Sequence, residues 1–364
     1  MKLNDLKLKR IDWYIIKKFL GTFAFIIALI IAITVVFDTN EKIEHFLKPE
    51  VTIAEIVFDY YANFIPYFIG LFSPLFTFIA VIFFTSKLAD RSEIIAMLSN
   101  GISFNRLILP YLISAGIIAS CNYMLSAYIV PKANVTRIEF QNTYIRNQKV
   151  LSARNIQLEV EPGVFAYFDS YHAPSSMGYR FSLDHFEDKQ LISRLAASSI
   201  KYDTLYNWTI IDYIIRDFDG MYEHISSGTR RDTTLTFVPS DFLISDSDCE
   251  TMTSPELAKH IKRQKQRGIG NIKTFEIEYY QRFANIMSFF ILTIIGLSLS
   301  SRKIRGGMGM NLGIGLGLAF SYVLFSKISS TFAVSGIVSP MIAVWIPNML
   351  YTFITVYVYR MAPR

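Results

Sequence analysis

The pattern of apolar and polar positions divides the chain into three parts. Uncharged apolar runs cover Phe19–Phe37, Tyr60–Ser86, Leu107–Pro131, Phe283–Ser301, Gly306–Ser326 and Ile328–Tyr359. A bilayer span needs roughly 20 apolar residues, so the runs predict six membrane helices. Between the third and fourth run the pattern changes to short alternating or β-branched and aromatic segments. These predict strands at Asn155–Val160, Val164–His172, Tyr179–Phe186, Leu191–Lys201, Trp208–Phe218 and Thr233–Val238,. Pro162-Gly163, Pro174-Ser175 and Asp219-Gly220 are the turn signals between them,. Spacings near a dozen residues suggest an antiparallel sandwich or jelly roll. The expected class is an α-helical polytopic membrane protein with an inserted all-β, jelly-roll-like domain. Its expected parts are 1–131 (three membrane helices), 132–253 (the β domain), 254–282 (a basic linker helix) and 283–364 (three membrane helices).

The stretch Lys87–Arg106 is a substantial polar interruption between two apolar runs, and it predicts a short helix of its own over 90–100. Asp90 or Ser92 can cap its start, and Asn100-Gly101 supplies a left-handed stop. Ile94, Ile95, Met97 and Leu98 form an apolar stripe, with Glu93 in the first turn where the helix dipole favours a carboxylate. Such a helix either rests its stripe on lipid headgroups or docks a partner.

Charge decides which side that helix faces. The segment up to Lys18 holds six Lys/Arg against two acids, and 38–59 holds two Lys against six acids. The loop 87–106 has three basic residues, 302–305 has three, and the tail after Tyr359 has two. By the basic-loop rule both termini and Lys87–Arg106 are expected in the cytoplasm, and the β domain outside it. The first apolar run is too long, and lacks a small-residue cleavage site, to read as a removed signal peptide. The net charge of +6 belongs to these flanks rather than to a nucleic-acid surface, and no nucleic-acid-binding motif is present,. Cys121 falls in the third span and Cys249 in the β domain, so they are not expected to pair.

Other features carry weaker signals. Pro66 and Pro74 should bend the second span, as packing kinks or as a hinge. Pro131 ends the third apolar run. Ser254-Pro255-Glu256 starts a helix that runs to Arg267, stops at Gly268 and carries Lys259, Lys262, Arg263, Lys265 and Arg267,. Its cations form either a solvated face or an anion-contacting one. Gly309, Gly313, Gly315 and Gly317 permit close packing of the fifth span. Lys327, on the outward end of that span, is placed to snorkel or to meet an anion. The aromatic-rich strands, with Phe168 and Phe181 among them, make either an ordinary core or a groove for acyl chains.

Several chemistries have no signature. There is no phosphate-binding G-x-x-x-x-G-K-[ST] loop and no G-x-S-x-G elbow,. His45, His172, His185, His224 and His260 lack metal-ligand spacing,. The six apolar runs hold no carboxylate of the kind that proton- or sodium-coupled transporters use. If the protein moves a substrate uphill, the energy should enter from another subunit, and the short polar-loop helix is the expected entry point.

The order of elements and several motifs resemble the LptF/LptG family of lipopolysaccharide-export permeases over nearly the whole chain. The most specific piece is Ala89-Asp90-Arg91-Ser92-Glu93 with Met97 and Asn100-Gly101-Ile102-Ser103, which is similar to that family's coupling helix. Pro66, Pro74, Tyr280/Arg282, Arg305-Gly306-Gly307 and Trp345-Ile346-Pro347-Asn348 also fit, and Asp12-Trp13-Tyr14-Ile15 with Phe37-Asp38 lean toward the LptG branch. The resemblance implies an ABC exporter of the Gram-negative inner membrane, serving outer-membrane biogenesis. Two such chains would sit on a dimeric LptB-like ATPase, which uses the ATP; no cofactor is expected on this chain, nor a catalytic site. Lipopolysaccharide would enter a cavity between the two chains and pass through β-jellyroll domains to a single-span LptC-like partner and an LptA-like bridge. Arg91, Ser92, Glu93, Ile94, Met97, Leu98 and Gly101 would couple to the ATPase. Lys132, Arg137 and Lys327 would form a cationic rim for lipid A phosphates, and Phe168 and Phe181 would meet acyl chains. Span one departs from the family pattern, with Asp38 in place of a basic residue at its outer end.

Two rival classes remain on residue grounds. A secondary transporter is disfavoured by the carboxylate-free runs. A membrane-anchored sensor or scaffold with a ligand-binding β domain would lack a co-purifying ATPase.

Overall fold

A computed structural model describes residues 9–145, 152–188, 190–243, 246–266, 272–301 and 307–362. Its contacts resolve into two compact units, one of helices together with Glu250–Ser254, the other a β unit with the helix after it. The expected basic loop 302–305, with Arg305-Gly306, and the expected helix end at Arg267-Gly268 lie outside the described residues.

In the helical unit six helices are long and apolar enough to cross a membrane. Numbered in chain order with the shorter ones, the described helices begin with α1 (Arg10–Phe46), α2 (Ile53–Asp90), α3 (Glu93–Ser99) and α4 (Phe104–Ile145). They continue with α5 (Ser254–Gln266), α6 (Lys273–Ser300), α7 (Gly307–Val334) and α8 (Pro340–Arg360). Thr52 and Glu55 form a reciprocal capping box at the start of α2,. Gly336, at φ 84°, ends α7 by closing bonds from Gly336 N to Ala333 O and from Ile337 N to Phe332 O,.

Two boundaries differ from those expected. α1 does not stop at Asp38 but continues two turns further. Asp38 is buried there rather than solvated: its carboxylate pairs with Lys42 and accepts from the Tyr60 hydroxyl at 3.2 Å and the Tyr61 hydroxyl at 3.3 Å. With Asp12, 2% exposed near the other end of α1, it shows that buried carboxylates flank an apolar run that contains none. α4 likewise runs through Pro131. A proline at that position cannot bond to the carbonyl of Ala127, and the ladder widens to a π turn over Leu125–Ile129 just where that bond is lost,.

The same logic joins α6, α7 and α8. Pro347 leaves the Ala343 carbonyl without its helical donor, and the Ser329 hydroxyl of α7 donates to it at 2.5 Å,. Asn348 beside it accepts from Tyr322 OH at 2.9 Å and donates to Ala284 O at 2.9 Å. α2 is the central helix of the main apolar cluster, with Phe76, Phe78, Val81 and Ile82 buried. Gly315 approaches Ile82 and Phe78 too closely for a side chain, whereas Gly309, Gly313 and Gly317 face open space. Close packing is thus realised by one of the four glycines.

The β unit is an antiparallel meander in the order β1 (Ser152–Glu161), β2 (Val164–His172), β3 (Met177–Glu187), β4 (Gln190–Tyr202), β5 (Asn207–Asp219), β6 (Tyr222–Thr234). Five strands fall where the alternation places them. The sixth does not. Thr233–Val238 overlaps the strand only at Thr233 and Thr234 and otherwise follows β6, whose exposed YEHISSGTRRDTT shows no apolar period. The alternation at 233–238 nevertheless reports burial: Leu235 and Phe237 turn into the core, and Trp208 Nε1 donates to Phe237 O at 3.1 Å.

Candidate functional site

Arg137 and Arg282 are the buried cations around which one end of the helical unit is organised, at 6% and 5% exposure. Arg137 lies on α4, three residues beyond Asn134, so both side chains share a helix face. Its Nε donates to Asn134 Oδ1 at 2.9 Å, one NH2 lies 3.3 Å from Glu250 Oε2, and its guanidinium carbon stands 4.0 Å from the centroid of the Tyr67 ring,. Asn134 also donates to the Glu250 carbonyl at 3.1 Å, fixing the backbone that carries the carboxylate. Arg282 sits on α6 one turn past Glu278. Its Nε donates to Glu278 Oε1, its NH1 to Ser254 Oγ and its NH2 to Met252 O, each at 3.0 Å.

These groups meet at a cavity of about 110 Å³. Its lining includes Tyr67 and Gly70 of α2, Asn134 of α4, Glu278, Arg282 and Asn285 of α6, Glu250, and Lys327 of α7. Lys327 is exposed. Lys132 is also exposed but is not among the lining residues. Of the expected cationic rim, the structure therefore brings Lys327 to the cavity, sets Arg137 behind its lining as the partner of Glu250, and leaves Lys132 apart. Sequence reasoning missed Glu250, Glu278 and Asn134. The i,i+4 spacing of Glu278 and Arg282 was the available signal; nothing local pairs Arg137 with a carboxylate 113 residues away.

At α3 the expectation needs revision. Ser92 has φ 60° and makes no side-chain cap bond, so α3 starts on a left-handed residue rather than a capped one. Its end follows the expectation: Gly101 at φ 82° closes bonds from Gly101 N to Leu98 O and from Ile102 N to Met97 O, the paired bonds of a Schellman stop,. Ile94 and Met97 cannot fill a partner's groove in this conformation. They are 0% and 9% exposed and belong to the chain's own core, with Leu98 packed against it. The outward face carries Arg91, Ser92, Ile95, Ala96 and Ser99. Glu93, half-buried, accepts from Tyr14 OH at 3.1 Å, tying α3 to α1.

In the β unit Phe168 and Phe181 are 0% and 1% exposed, with centroids 5.1 Å apart. Phe168 also meets Trp208, Phe237 and Phe242. They are packed core in this conformation.

Six helices long and apolar enough to cross a membrane, with an all-β unit inserted between the third and the fourth, define a polytopic membrane protein. The chain belongs to the lipopolysaccharide export system permease LptF/LptG family, whose model matches residues 13–361. That match spans nearly the whole chain and is to the family that unites both branches. It makes the protein a multi-pass inner-membrane permease of a lipopolysaccharide export system. No curated protein matches the chain.

Proposed function

We propose that this chain is one of two permease subunits of an ABC exporter that extracts lipopolysaccharide from the inner membrane and hands it to a periplasmic bridge leading toward the outer membrane. The observation that carries the reading is α3. A seven-residue helix between two membrane helices is fixed from inside by Ile94 and Met97 and stopped by Gly101, and it presents Arg91 and Ile95 outward. A rigid element of that kind transmits motion from a docked partner into α2 and α4. The basic residues flanking it support a cytoplasmic position, and with it cytoplasmic termini and a periplasmic β domain. The partner is then a dimeric LptB-like ATPase that supplies the energy, and this chain needs no cofactor of its own.

On this reading the cavity beside Arg137, Arg282 and Lys327 receives substrate phosphates, with Lys132 at the approach. An amphiphilic anion suits an apolar bundle with cations at one end. Acyl chains pass to a second permease chain's shared cavity and onward through the β unit. Passage against Phe168 and Phe181 requires the aromatic core to open, and an LptC-like partner and LptA-like bridge receive the lipid.

The test is purification of the complex in mild detergent. A co-purifying ATPase, with ATP turnover stimulated by lipopolysaccharide, is expected. Recovery of the chain alone, with no ATPase at native expression, favours the sensor or scaffold and sinks the exporter assignment. Photo-crosslinkers at Phe168 or Phe181 should capture lipid only when ATP is supplied.

A further inference from the structure

We infer that Glu250 and Glu278 are specificity-determining residues: built-in counter-ions that occupy Arg137 and Arg282 and yield to a phosphomonoester headgroup but not to a phosphodiester one. The inference rests on the proposed permease function and deepens it by assigning a role to the acidic half of the cavity.

The two ion pairs are asymmetric in the same sense. Side-chain exposure is 8% for Arg137 against 35% for Glu250, and 4% for Arg282 against 30% for Glu278. The guanidiniums are the fixed members. Arg137 is held additionally by Asn134 and the Tyr67 ring, and Arg282 by Ser254 and the Met252 carbonyl. The carboxylates, each about a third exposed, both line the cavity, as does Lys327. Movement of a carboxylate into water leaves the guanidinium in place with a charge-assisted donor directed at the space vacated.

A buried guanidinium does not remain unpaired, so an anion that displaces a carboxylate must replace both its charge and its acceptor oxygens. A phosphomonoester carries about −1.5 to −2 charge on three strongly accepting oxygens, more than the carboxylate it displaces. A glycerophospholipid phosphodiester carries a single charge on two free oxygens and only equals that carboxylate. The carboxylates therefore set a threshold of charge that ordinary membrane phospholipids do not pass. Negative selection of this type discriminates between two anions that the bare cations would both attract.

The experiment places a photo-crosslinking residue at Leu71, which lines the cavity outside the ion pairs. The assembled exporter is reconstituted in vesicles of phosphatidylethanolamine and phosphatidylglycerol containing lipopolysaccharide. Wild-type protein should capture lipopolysaccharide in preference to phosphatidylglycerol, and lose that preference for dephosphorylated lipopolysaccharide. Glu250→Gln and Glu278→Gln should each lower the capture ratio of lipopolysaccharide to phosphatidylglycerol by roughly tenfold, through a rise in phospholipid capture. Glu278→Gln decides alone if Glu250→Gln fails to assemble, because Arg282 keeps its bonds to Ser254 and Met252. An unchanged ratio in assembled variants overturns the inference, as does a ratio that falls only because lipopolysaccharide capture is lost. Wild-type protein that captures no lipopolysaccharide overturns the permease reading itself, and the inference with it.

Discussion

Arg106 of α4 and Asp12 of α1 meet at 2.5 Å, NH2 to Oδ2, across 94 residues of sequence. Asp12 accepts in addition from the Lys9 amide at 2.6 Å, so one buried carboxylate both caps α1 and ties it to the start of α4. A buried pair that loses one member leaves an uncompensated charge, at a cost of about 3–5 kcal/mol. Arg106→Gln should therefore lower the thermal stability of the detergent-purified protein markedly. Asp12→Asn combined with Arg106→Gln should recover most of the loss, because no charge is then stranded. A double variant no more stable than Arg106→Gln would mean that the pair contributes little beyond packing.

The position of the cations at the cavity gives a graded expectation. Lys327 lines it and Lys132 does not. Lys327→Gln should weaken site-specific crosslinking to lipopolysaccharide, and Lys132→Gln should do so less, with assembly intact in both. Arg137→Gln should weaken crosslinking and also destabilise, since it removes the pair with Glu250 and the contact with Tyr67. Unchanged crosslinking in all three variants would return these residues to snorkelling and internal packing.

The legibility of the sequence followed the length of each signal. Spans of some twenty apolar residues were visible because a bilayer enforces them, and five strands because one face of each is buried. Tyr222–Thr234 was invisible as a strand because it is exposed nearly throughout, so it has no alternation to read. Its place is set by pairing with β5 across the Asp219-Gly220 turn. Leu235 and Phe237 gave a true burial period that was mistaken for sheet pairing. In the bundle, Arg137 was legible as a cation at a helix end, but Glu250 comes from beyond the whole β unit. A long-range pairing of that kind leaves no periodic trace. Ile94 and Ile95 could not be separated either, since a short stripe does not say which side is core.

His260 of α5 stacks near Phe275, with centroids 4.9 Å apart. Burial, and then the charge of Arg263, holds its imidazole below the ordinary value of 6.5, opposed by Asp241 and Asp248. The unfolded chain therefore binds this proton at higher pH than the folded one does. Stability from this site is complete above about pH 6.5, and is lost as pH falls from there toward the depressed folded value. Hydrogen exchange of α5 amides, corrected for intrinsic rates, should show less protection at about pH 5.5 than at about pH 7.5. His260→Gln should flatten that dependence. A slope that survives the substitution would assign it to other groups.

Gly178 of β3 tests whether the β unit is tightly packed around Phe168. A Cβ there would stand 2.6 Å from Phe168 Cδ1 and 3.0 Å from Ile200 Cγ2. Overpacking of this kind costs about 1–3 kcal/mol, so Gly178→Ala should lower the unfolding temperature of the β unit within the full-length protein. Phe168→Leu combined with Gly178→Ala makes room and should restore part of the loss. A Gly178→Ala variant as stable as wild type would indicate a core loose enough to admit lipid without rearrangement.

Neighbouring residues on α3 separate folding from coupling. Ile94 is fully buried and Ile95 is 53% exposed. Ile94→Ala should destabilise the membrane unit by about 2–5 kcal/mol, the usual cost of truncating a buried isoleucine. Ile95→Ala should change stability by no more than about 0.5 kcal/mol yet reduce recovery of the ATPase. Glu93→Lys breaks the bond from Tyr14 and reverses the charge beside the outward face. If α3 docks a basic site on the ATPase, that substitution should uncouple or dissociate the complex at unchanged membrane level, whereas Tyr14→Phe, which keeps the carboxylate, should retain coupling. A helix resting on anionic lipid predicts the reverse, since Glu93→Lys would then strengthen its attachment and leave the ATPase bound. Equal recovery of ATPase and equal ATP turnover in wild type, Ile95→Ala and Glu93→Lys would exclude α3 as the coupling element.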